Sequence, residues 1–186
     1  MTSPTIFITT GPESSGKTTL ASALSSALHA PLVSEMSRDY LNARYQKQPD
    51  YQYQPADLLQ IAQQQHAAEQ QMLAANPALL VCDTDLLVII IWSQVKYGHV
   101  DPWIIATFNA SLQSTQRHYL LCDHNIPWQY DPLRENPHDR HVLAVRYRDT
   151  LHDLGCTSLT VSGTQPERLA ASVAWLEGIS GLRHLP

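Results

Sequence analysis

The sequence predicts an α/β protein in which a five-stranded parallel sheet lies between two layers of helices, a three-layer sandwich. Five short runs of β-branched and apolar residues alternate with longer segments of helical periodicity along the whole chain. Strands that alternate with helices pair in parallel, and helices on both faces of the sheet bury them. The 186 residues contain no repeat and no linker, so we expect one domain over residues 1–186.

Each predicted strand is a short run that favours extended structure. The five runs are 5–10 (TIFITT), 31–35 (PLVSE), 79–83 (LLVCD), 117–123 (RHYLLCD) and 157–161 (TSLTV).

Helix signals occupy the segments between these runs. The predicted helices are one from about 17 with leucines at four-residue spacing, then 37–45, 55–75, 85–96, 102–114, 136–154 and 166–178. Pro55 suits the first position of its helix, and Asn136 followed by Pro137 is a helix start. Gly155 marks the end of that helix. The glutamine-rich stretch 60–71 keeps apolar residues at helical spacing and predicts a solvated helix face.

Composition limits the possible partners. The net charge is −5 and lysine occurs only at Lys17, Lys47 and Lys96, so a nucleic-acid partner is not expected. The longest apolar run, 86–92, is far shorter than the ~20 residues of a membrane-spanning helix, so no membrane partner is expected. The start of the chain lacks the features of a signal peptide, and the cysteines lack CxxC spacing. These features favour a cytoplasmic protein with buried thiols.

A phosphate-binding loop follows the first predicted strand. Residues 11–18 read GPESSGKT and match the P-loop pattern G-x-x-x-x-G-K-[ST] in full. Backbone N–H groups of such a loop surround phosphates, its lysine reaches the β- and γ-phosphates, and its last hydroxyl can bind Mg²⁺. The sequence therefore predicts a P-loop NTPase that uses ATP and Mg²⁺. The residues predicted to hold the nucleotide are Gly11, Glu13, Ser14, Ser15, Gly16, Lys17, Thr18 and Thr19.

Acidic residues end two of the predicted strands. Asp83 follows four apolar residues, the pattern of a metal-binding strand end, so Thr18 and Asp83 are predicted metal ligands; the alternative is a helix cap. Glu35 ends the second strand and should face the same cleft, because ligands meet the carboxyl ends of parallel strands. Its carboxylate can accept the proton of an attacking hydroxyl, or it can form a structural ion pair with Arg38.

Arginines and aromatic residues supply the remaining candidates. Arg134 and Arg140 lie in or beside a predicted lid at about 124–141, where their charges can stabilise a transferring phosphoryl group. Tyr40, Trp92 and Trp128 can stack on a planar ligand, although each can equally belong to the core.

Five segments together resemble one known family. They are GPESSGKTTLA (11–21), EMSRDYL (35–41), CDTDLL (82–87), IWS (91–93) and IPWQYDPLRENPHDR (126–140). In this order, over nearly the whole chain, they resemble the ribosylnicotinamide kinase domain of NadR-type proteins.

The resemblance implies a P-loop kinase fold with strand order 2-3-1-4-5. It also implies transfer of the ATP γ-phosphate to the 5′-hydroxyl of nicotinamide riboside, a step of NAD biosynthesis. Asp83 would bind the metal, and Arg134 and Arg140 would belong to the lid. Asp85 would contact the ribose or act as the base in place of Glu35. Arg38, Tyr40, Asp85, Trp92 and Trp128 are the residues expected to contact the substrate.

Two positions depart from the family pattern. Met36 replaces a common aromatic residue, and Asn125 replaces an acidic one. Complete NadR-type proteins also carry an adenylyltransferase domain and often a DNA-binding module, neither of which is expected here. The alternatives are a kinase of another nucleoside or small metabolite, and a nucleotide-binding switch without kinase activity.

Overall fold

The computed structural model describes residues 4–131 and 138–180, which form alternating strands and helices. In chain order these are β1 (Thr5–Thr10), α1 (Lys17–Ala27), β2 (Leu32–Val33), α2 (Ser37–Lys47), α3 (Pro55–Leu73), β3 (Leu79–Asp83), α4 (Leu86–Tyr97), α5 (Pro102–Ser114), β4 (Gln116–Cys122), α6 (Arg140–Asp153), β5 (Thr157–Val161) and α7 (Gln165–Ser180).

The five strands form one parallel sheet in the order β2-β3-β1-β4-β5. Strand β1 is central and pairs with β3 on one side and β4 on the other. The predicted α/β class and the order 2-3-1-4-5 are confirmed. The carboxyl ends of β1 and β3 lie side by side, with Thr9 opposite Asp83, so the residues that follow both strands share one edge of the sheet.

Two hydrophobic layers cover the sheet. Ile6 and Ile8 of β1 belong to the layer shared with α2 to α6, and Phe7 belongs to the layer shared with α1 and α7. This alternation follows from the pleat, which sends successive side chains to opposite faces. Helices on both faces of the sheet complete the predicted three-layer sandwich.

Some boundaries differ from the prediction. Strand β2 covers only Leu32–Val33, because it lies at the edge of the sheet and pairs with β3 alone. Helix α6 begins at Arg140, later than predicted, and Asn136 and Pro137 lie outside the described residues. Its first residue, Arg140, is hydrogen-bonded through its side chain to backbone that is distant in the chain.

Helix α3 is not a purely solvated glutamine face. Gln65 and Glu69 are buried, whereas Gln64 is exposed. The prediction of a solvated face was wrong at Gln65, because its buried amide has polar partners inside the fold. Over the described part of the chain, no helix has the length and apolar character needed to cross a bilayer.

Candidate functional site

The loop between β1 and α1 has a backbone that requires glycine. Gly11 has a φ of 132° and Gly16 a φ of 84°. A Cβ atom on Gly11 would lie 2.7 Å from the carbonyl oxygen of Cys122 in β4, closer than real Cβ contacts. Glycine at 11 therefore lets the loop pass directly over the end of the neighbouring strand.

Lys17 begins helix α1, and its side chain turns back across the loop. Its Nζ atom donates to the carbonyl oxygens of Gly11 and Pro12, at 3.1 and 2.9 Å. The hydroxyl of Ser15 is buried and has no hydrogen-bond partner among the residues described. The loop thus brings together an ammonium group, an unpaired hydroxyl and the positive end of a helix, which is the arrangement that binds phosphate.

A cavity of about 270 Å³ opens beside this loop. The eight residues predicted to hold nucleotide line it, and so do Glu35, Arg38 and Trp92. Its remaining wall is largely apolar and comes from α2, α4 and α6, through Leu41, Val88, Ile91, Val95, Leu143 and Tyr147. The cavity therefore has a phosphate-binding end and an apolar, aromatic end.

Asp83 lies at the carboxyl end of β3, directly beneath the loop. Its buried carboxylate accepts hydrogen bonds from the hydroxyls of Thr9, at 3.4 Å, and Thr18. Burial and the nearby charge of Glu35 raise the pKa of Asp83, while the Thr18 bond opposes this shift. No cluster of three His, Cys, Asp or Glu side chains suited to a metal occurs in the described ranges. A hydroxyl beside a single carboxylate fits Mg²⁺, which takes its other ligands from phosphates and water.

Glu35 faces the cavity and does not pair with Arg38. Its Oε1 atom accepts a hydrogen bond of 2.6 Å from the hydroxyl of Ser37. Arg38 instead forms an ion pair with Asp131 at 2.8 Å, so the structural alternative for Glu35 is not the one observed. The carboxylate is placed to meet a hydroxyl entering the cavity.

Asp85 points away from the cavity, contrary to the role expected from the resemblance. It is buried, and its carboxylate accepts hydrogen bonds from Tyr119, at 2.8 Å, and from the N–H of Leu87. Arg117 lies 3.4 Å away and also binds Glu69. With these partners Asp85 anchors the start of α4 and is poorly placed to contact a ribose or act as a base. Burial raises its pKa.

The predicted lid arginines have different outcomes. Arg134 lies outside the described residues. Arg140 is buried and donates to the carbonyl oxygens of Ile126 and Ser14, at 3.0 and 2.9 Å. Its guanidinium also lies 5.8 Å from the ring of Trp128. Arg140 thus fastens the start of α6 to the P-loop, and neither it nor Trp128 lines the cavity.

Of the other two aromatic candidates, only one lies at the cavity. Trp92 lines the cavity, and its indole N–H donates to the hydroxyl of Tyr53 at 2.8 Å, which fixes the ring. Tyr40 does not line it; its hydroxyl donates to Asp57 at 2.7 Å and accepts from Arg44. Trp92 alone of the predicted aromatic residues is placed to contact a ligand in this cavity.

Sequence reasoning missed Arg168. This buried side chain donates to the carbonyl oxygen of Ser15 at 2.7 Å, to Gly163 at 2.9 Å and to Asn125 at 2.8 Å. It therefore joins the P-loop to the segments after β4 and β5. No local pattern around Arg168 signals this role, because Ser15 and Asn125 lie far away in the chain.

A second depression of about 170 Å³ lies beside Arg168 and shares Gly16, Thr19 and Ile126 with the main cavity.

Tyr147 was also missed as a cavity residue, since its helical spacing indicated only a core position. It lines the main cavity, and burial raises its pKa.

The P-loop NTPase class is defined by a glycine-bearing phosphate loop between the central strand of a parallel sheet and the following helix. This chain has that loop and a parallel sheet of order 2-3-1-4-5, so it has the P-loop NTPase fold. A family model described as an AAA domain matches residues 6–168, and the chain belongs to that family. No curated protein matches the sequence.

Solved structures share the fold at low sequence identity. A structure of the NadR protein in complex with NR has a TM-score of 0.73 and 17% identity over 97% of this chain, which spans 50% of that chain. A deoxyadenosine kinase from M. mycoides has a TM-score of 0.61 and 15% identity, with coverage of 94% and 100%. The YorR protein from Bacillus subtilis has a TM-score of 0.56 and 12% identity, with coverage of 96% and 99%. The resemblance to NadR inferred from sequence segments is confirmed at the level of the fold.

Proposed function

We propose that this protein is an ATP-dependent kinase that phosphorylates the 5′-hydroxyl of nicotinamide riboside and releases nicotinamide mononucleotide. The observation that carries the proposal is the composition of the cavity. A P-loop, the Glu35 carboxylate and an apolar wall with Trp92 line the same space. A phosphoryl donor, a proton acceptor and a planar acceptor molecule can thus meet in it.

The donor end would hold ATP. The triphosphate would lie along the loop, where Lys17 and the start of α1 place positive charge. The second depression, between Gly16 and Gly163, continues from the loop and offers room for the base of the nucleotide. Arg140 adds a positive charge behind the loop through its bond to Ser14.

Magnesium fits the residues at the loop. Thr18 and Asp83 would hold it, since a hydroxyl and a carboxylate already meet there. When bound with ATP, the ion neutralises charge on the phosphate oxygens.

The acceptor end suits a riboside with a planar ring. Trp92 is fixed by Tyr53, and the aliphatic side chains of Val88 and Ile91 lie beside it, so a flat heterocycle can stack there. The nicotinamide ring of the riboside carries a positive charge, which an indole face attracts. Among the described residues, the charged groups that line this end are Glu35 and Arg38, and Arg38 is paired with Asp131.

The chemistry is an in-line displacement at the γ-phosphorus. The riboside 5′-oxygen forms a bond to that phosphorus while the bond to the β–γ bridging oxygen breaks, and ADP leaves. The hydroxyl proton passes to the Glu35 carboxylate, which Ser37 orients. Lys17 stabilises the negative charge on the transferring group and on the leaving phosphate.

The decisive test is an assay of the purified protein with Mg·ATP and nicotinamide riboside, with the mononucleotide and ADP quantified separately. We expect equal amounts of both products. Lys17→Ala should abolish transfer, while Lys47→Ala, a substitution at the exposed end of α2, should leave it unchanged. If the protein is folded and Mg·ATP raises its Tm but no mononucleotide forms, nicotinamide riboside is not the substrate.

A deoxynucleoside is the second candidate acceptor, favoured by the fold shared with the M. mycoides deoxyadenosine kinase. The same assay should include deoxyadenosine and deoxycytidine at matched concentrations. A higher kcat/KM for either would move the assignment to that class. ADP release that no acceptor stimulates would instead support a nucleotide-dependent switch.

A further inference from the structure

Gln65, on helix α3, touches the backbone beside both acidic residues of the site. Its side chain is buried, although it lies in the middle of a glutamine-rich sequence. The Oε1 atom accepts a hydrogen bond of 3.0 Å from the N–H of Met36, the residue after Glu35. The Nε2 atom donates, at 3.5 Å, to the carbonyl oxygen of Thr84, the residue after Asp83. One amide therefore bridges the two strand ends that carry the carboxylates.

The segment that carries Glu35 is held outside the sheet: the N–H of Met36 bonds to Gln65, and its carbonyl oxygen accepts from the N–H of Tyr40 at 3.2 Å. The pairing of β2 with β3 ends at Val33, opposite Cys82, so the sheet does not hold residues 35 and 36. The N–H of Met36 donates to the Gln65 side chain and not to a neighbouring strand. Without this bond the segment would depend on its link to α2, and Glu35 would shift more easily relative to the sheet.

The strand end that carries Asp83 turns sharply. Thr84 has a φ of 70°, a left-handed conformation that is strained for a β-branched residue. Its N–H donates to the carbonyl oxygen of Thr9 at 3.1 Å, and its own carbonyl accepts from Gln65. Surrounding hydrogen bonds are what maintain such a conformation, and Gln65 supplies one of them.

Helix α3 is itself fixed one turn further on. Glu69, four residues after Gln65 and so on the same face, forms a buried ion pair with Arg117 of β4. Arg117 also contacts Asp85, at 3.4 Å, immediately after Thr84. The position of Gln65 relative to the turn at residues 83–85 is thus set by a second buried contact.

We propose that Gln65 is a positioning residue that holds the Glu35 carboxylate in register with the Asp83 end of β3. It touches no substrate and acts through the backbone of Met36 and Thr84. The inference rests on the proposed function, because it assumes that Glu35 receives the proton of the acceptor hydroxyl.

Two substitutions separate positioning from packing. Gln65→Met keeps an unbranched side chain of similar size but removes both hydrogen bonds, and Gln65→Glu keeps the acceptor for Met36 and loses only the donor. Packing alone predicts that Met is the milder change, because burying an extra carboxylate costs more stability. Positioning predicts the reverse order for catalysis. Gln64→Met, on the exposed side of the same helix, is the matched control.

Steady-state kinetics provide the first readout. Loss of the bridge should lower kcat of Gln65→Met by about tenfold to a hundredfold, the effect of a small misplacement of a catalytic group. KM for ATP and the Mg·ATP-induced rise in Tm should stay near wild type, because the P-loop is unchanged. Gln65→Glu should retain more kcat than Gln65→Met even if it melts at a lower temperature. A wild-type kcat for Gln65→Met, or a loss of kcat in proportion to Tm alone, overturns the proposal.

Hydrogen exchange provides a readout that does not need activity. The Met36 amide should be protected in the wild type and in Gln64→Met, and should exchange much faster in Gln65→Met. Equal exchange of this amide in all three proteins overturns the proposal even if no riboside is phosphorylated. The positioning proposal is supported if the wild type is active, Gln65→Met is slow and the Met36 amide of Gln65→Met has lost its protection. The two proposals therefore fail by different observations.

Discussion

Replacing Gly11 with alanine should disrupt the P-loop through backbone strain and a steric clash with β4. At a φ of 132° an alanine is strained, by about 2 kcal/mol. The added Cβ would also lie 2.7 Å from the Cys122 carbonyl oxygen, and an ordinary contact begins at 3.4 Å. Opening that distance separates the loop from β4, which costs about another 2 kcal/mol as overpacking does.

The expected loss is therefore about 4 kcal/mol, or a fall in Tm of about 8–16 °C for a chain of this size. Gly98→Ala is the matched control, because Gly98 has a φ of 72° but no atom within 4 Å of a new Cβ. Its cost is backbone strain of about 1 kcal/mol.

Thermal unfolding followed by circular dichroism, with and without Mg·ATP, measures both effects. We expect Gly11→Ala also to lose most of the nucleotide-dependent rise in Tm, which Gly98→Ala should keep. If the two variants melt at the same temperature, the close approach of the loop to β4 does not require glycine and the reasoning is refuted.

Two further predictions concern buried ionisable groups. His118 is buried, and neither of its ring nitrogens has a hydrogen-bond partner among the described residues. Burial lowers its pKa. As the pH falls, the unfolded chain therefore takes up the proton before the folded protein does, and the free energy of unfolding should decrease as the pH drops through about 6.5. Urea unfolding between pH 7.5 and about 5 should show a weaker pH dependence for His118→Leu, and an unchanged slope would contradict this reasoning. Arg117→Met leaves Glu69 and Asp85 buried without their cation and should cost about 3–5 kcal/mol, whereas Arg148→Met removes an exposed ion pair and should cost about 0–1 kcal/mol. Urea midpoints decide this comparison, and equal midpoints for the two variants would rule out a stabilising role for the buried cation.

The alternation of strands and helices was predictable because each element depends on residues close together in the chain. The bounds of β1, β3, α5 and β5 match the predicted runs. Strand β2 and the start of α6 were less predictable, since an edge strand ends where its pairing ends and α6 begins where Arg140 meets Ser14 and Ile126.

The acidic candidates show why the site was only partly predictable. Asp83 and Asp85 are two residues apart at the same strand end; Asp83 was predicted to bind the metal, and the resemblance implied that Asp85 contacts the ribose or acts as the base. The left-handed turn at Thr84 and the partners Arg117 and Tyr119 on β4 direct Asp85 into the core. None of these partners lies near it in sequence.

The chain by itself determined the P-loop, because eight consecutive residues carry both the glycines and the ammonium group that the loop needs. It also determined the parallel sheet and the order implied by its family resemblance. Only the tertiary structure decided that Arg38 pairs with Asp131 and not with Glu35, and that Gln65 bridges two strand ends. The reason is physical: a side chain takes the partner that folding brings within hydrogen-bond distance, and in these cases the partner is remote in sequence.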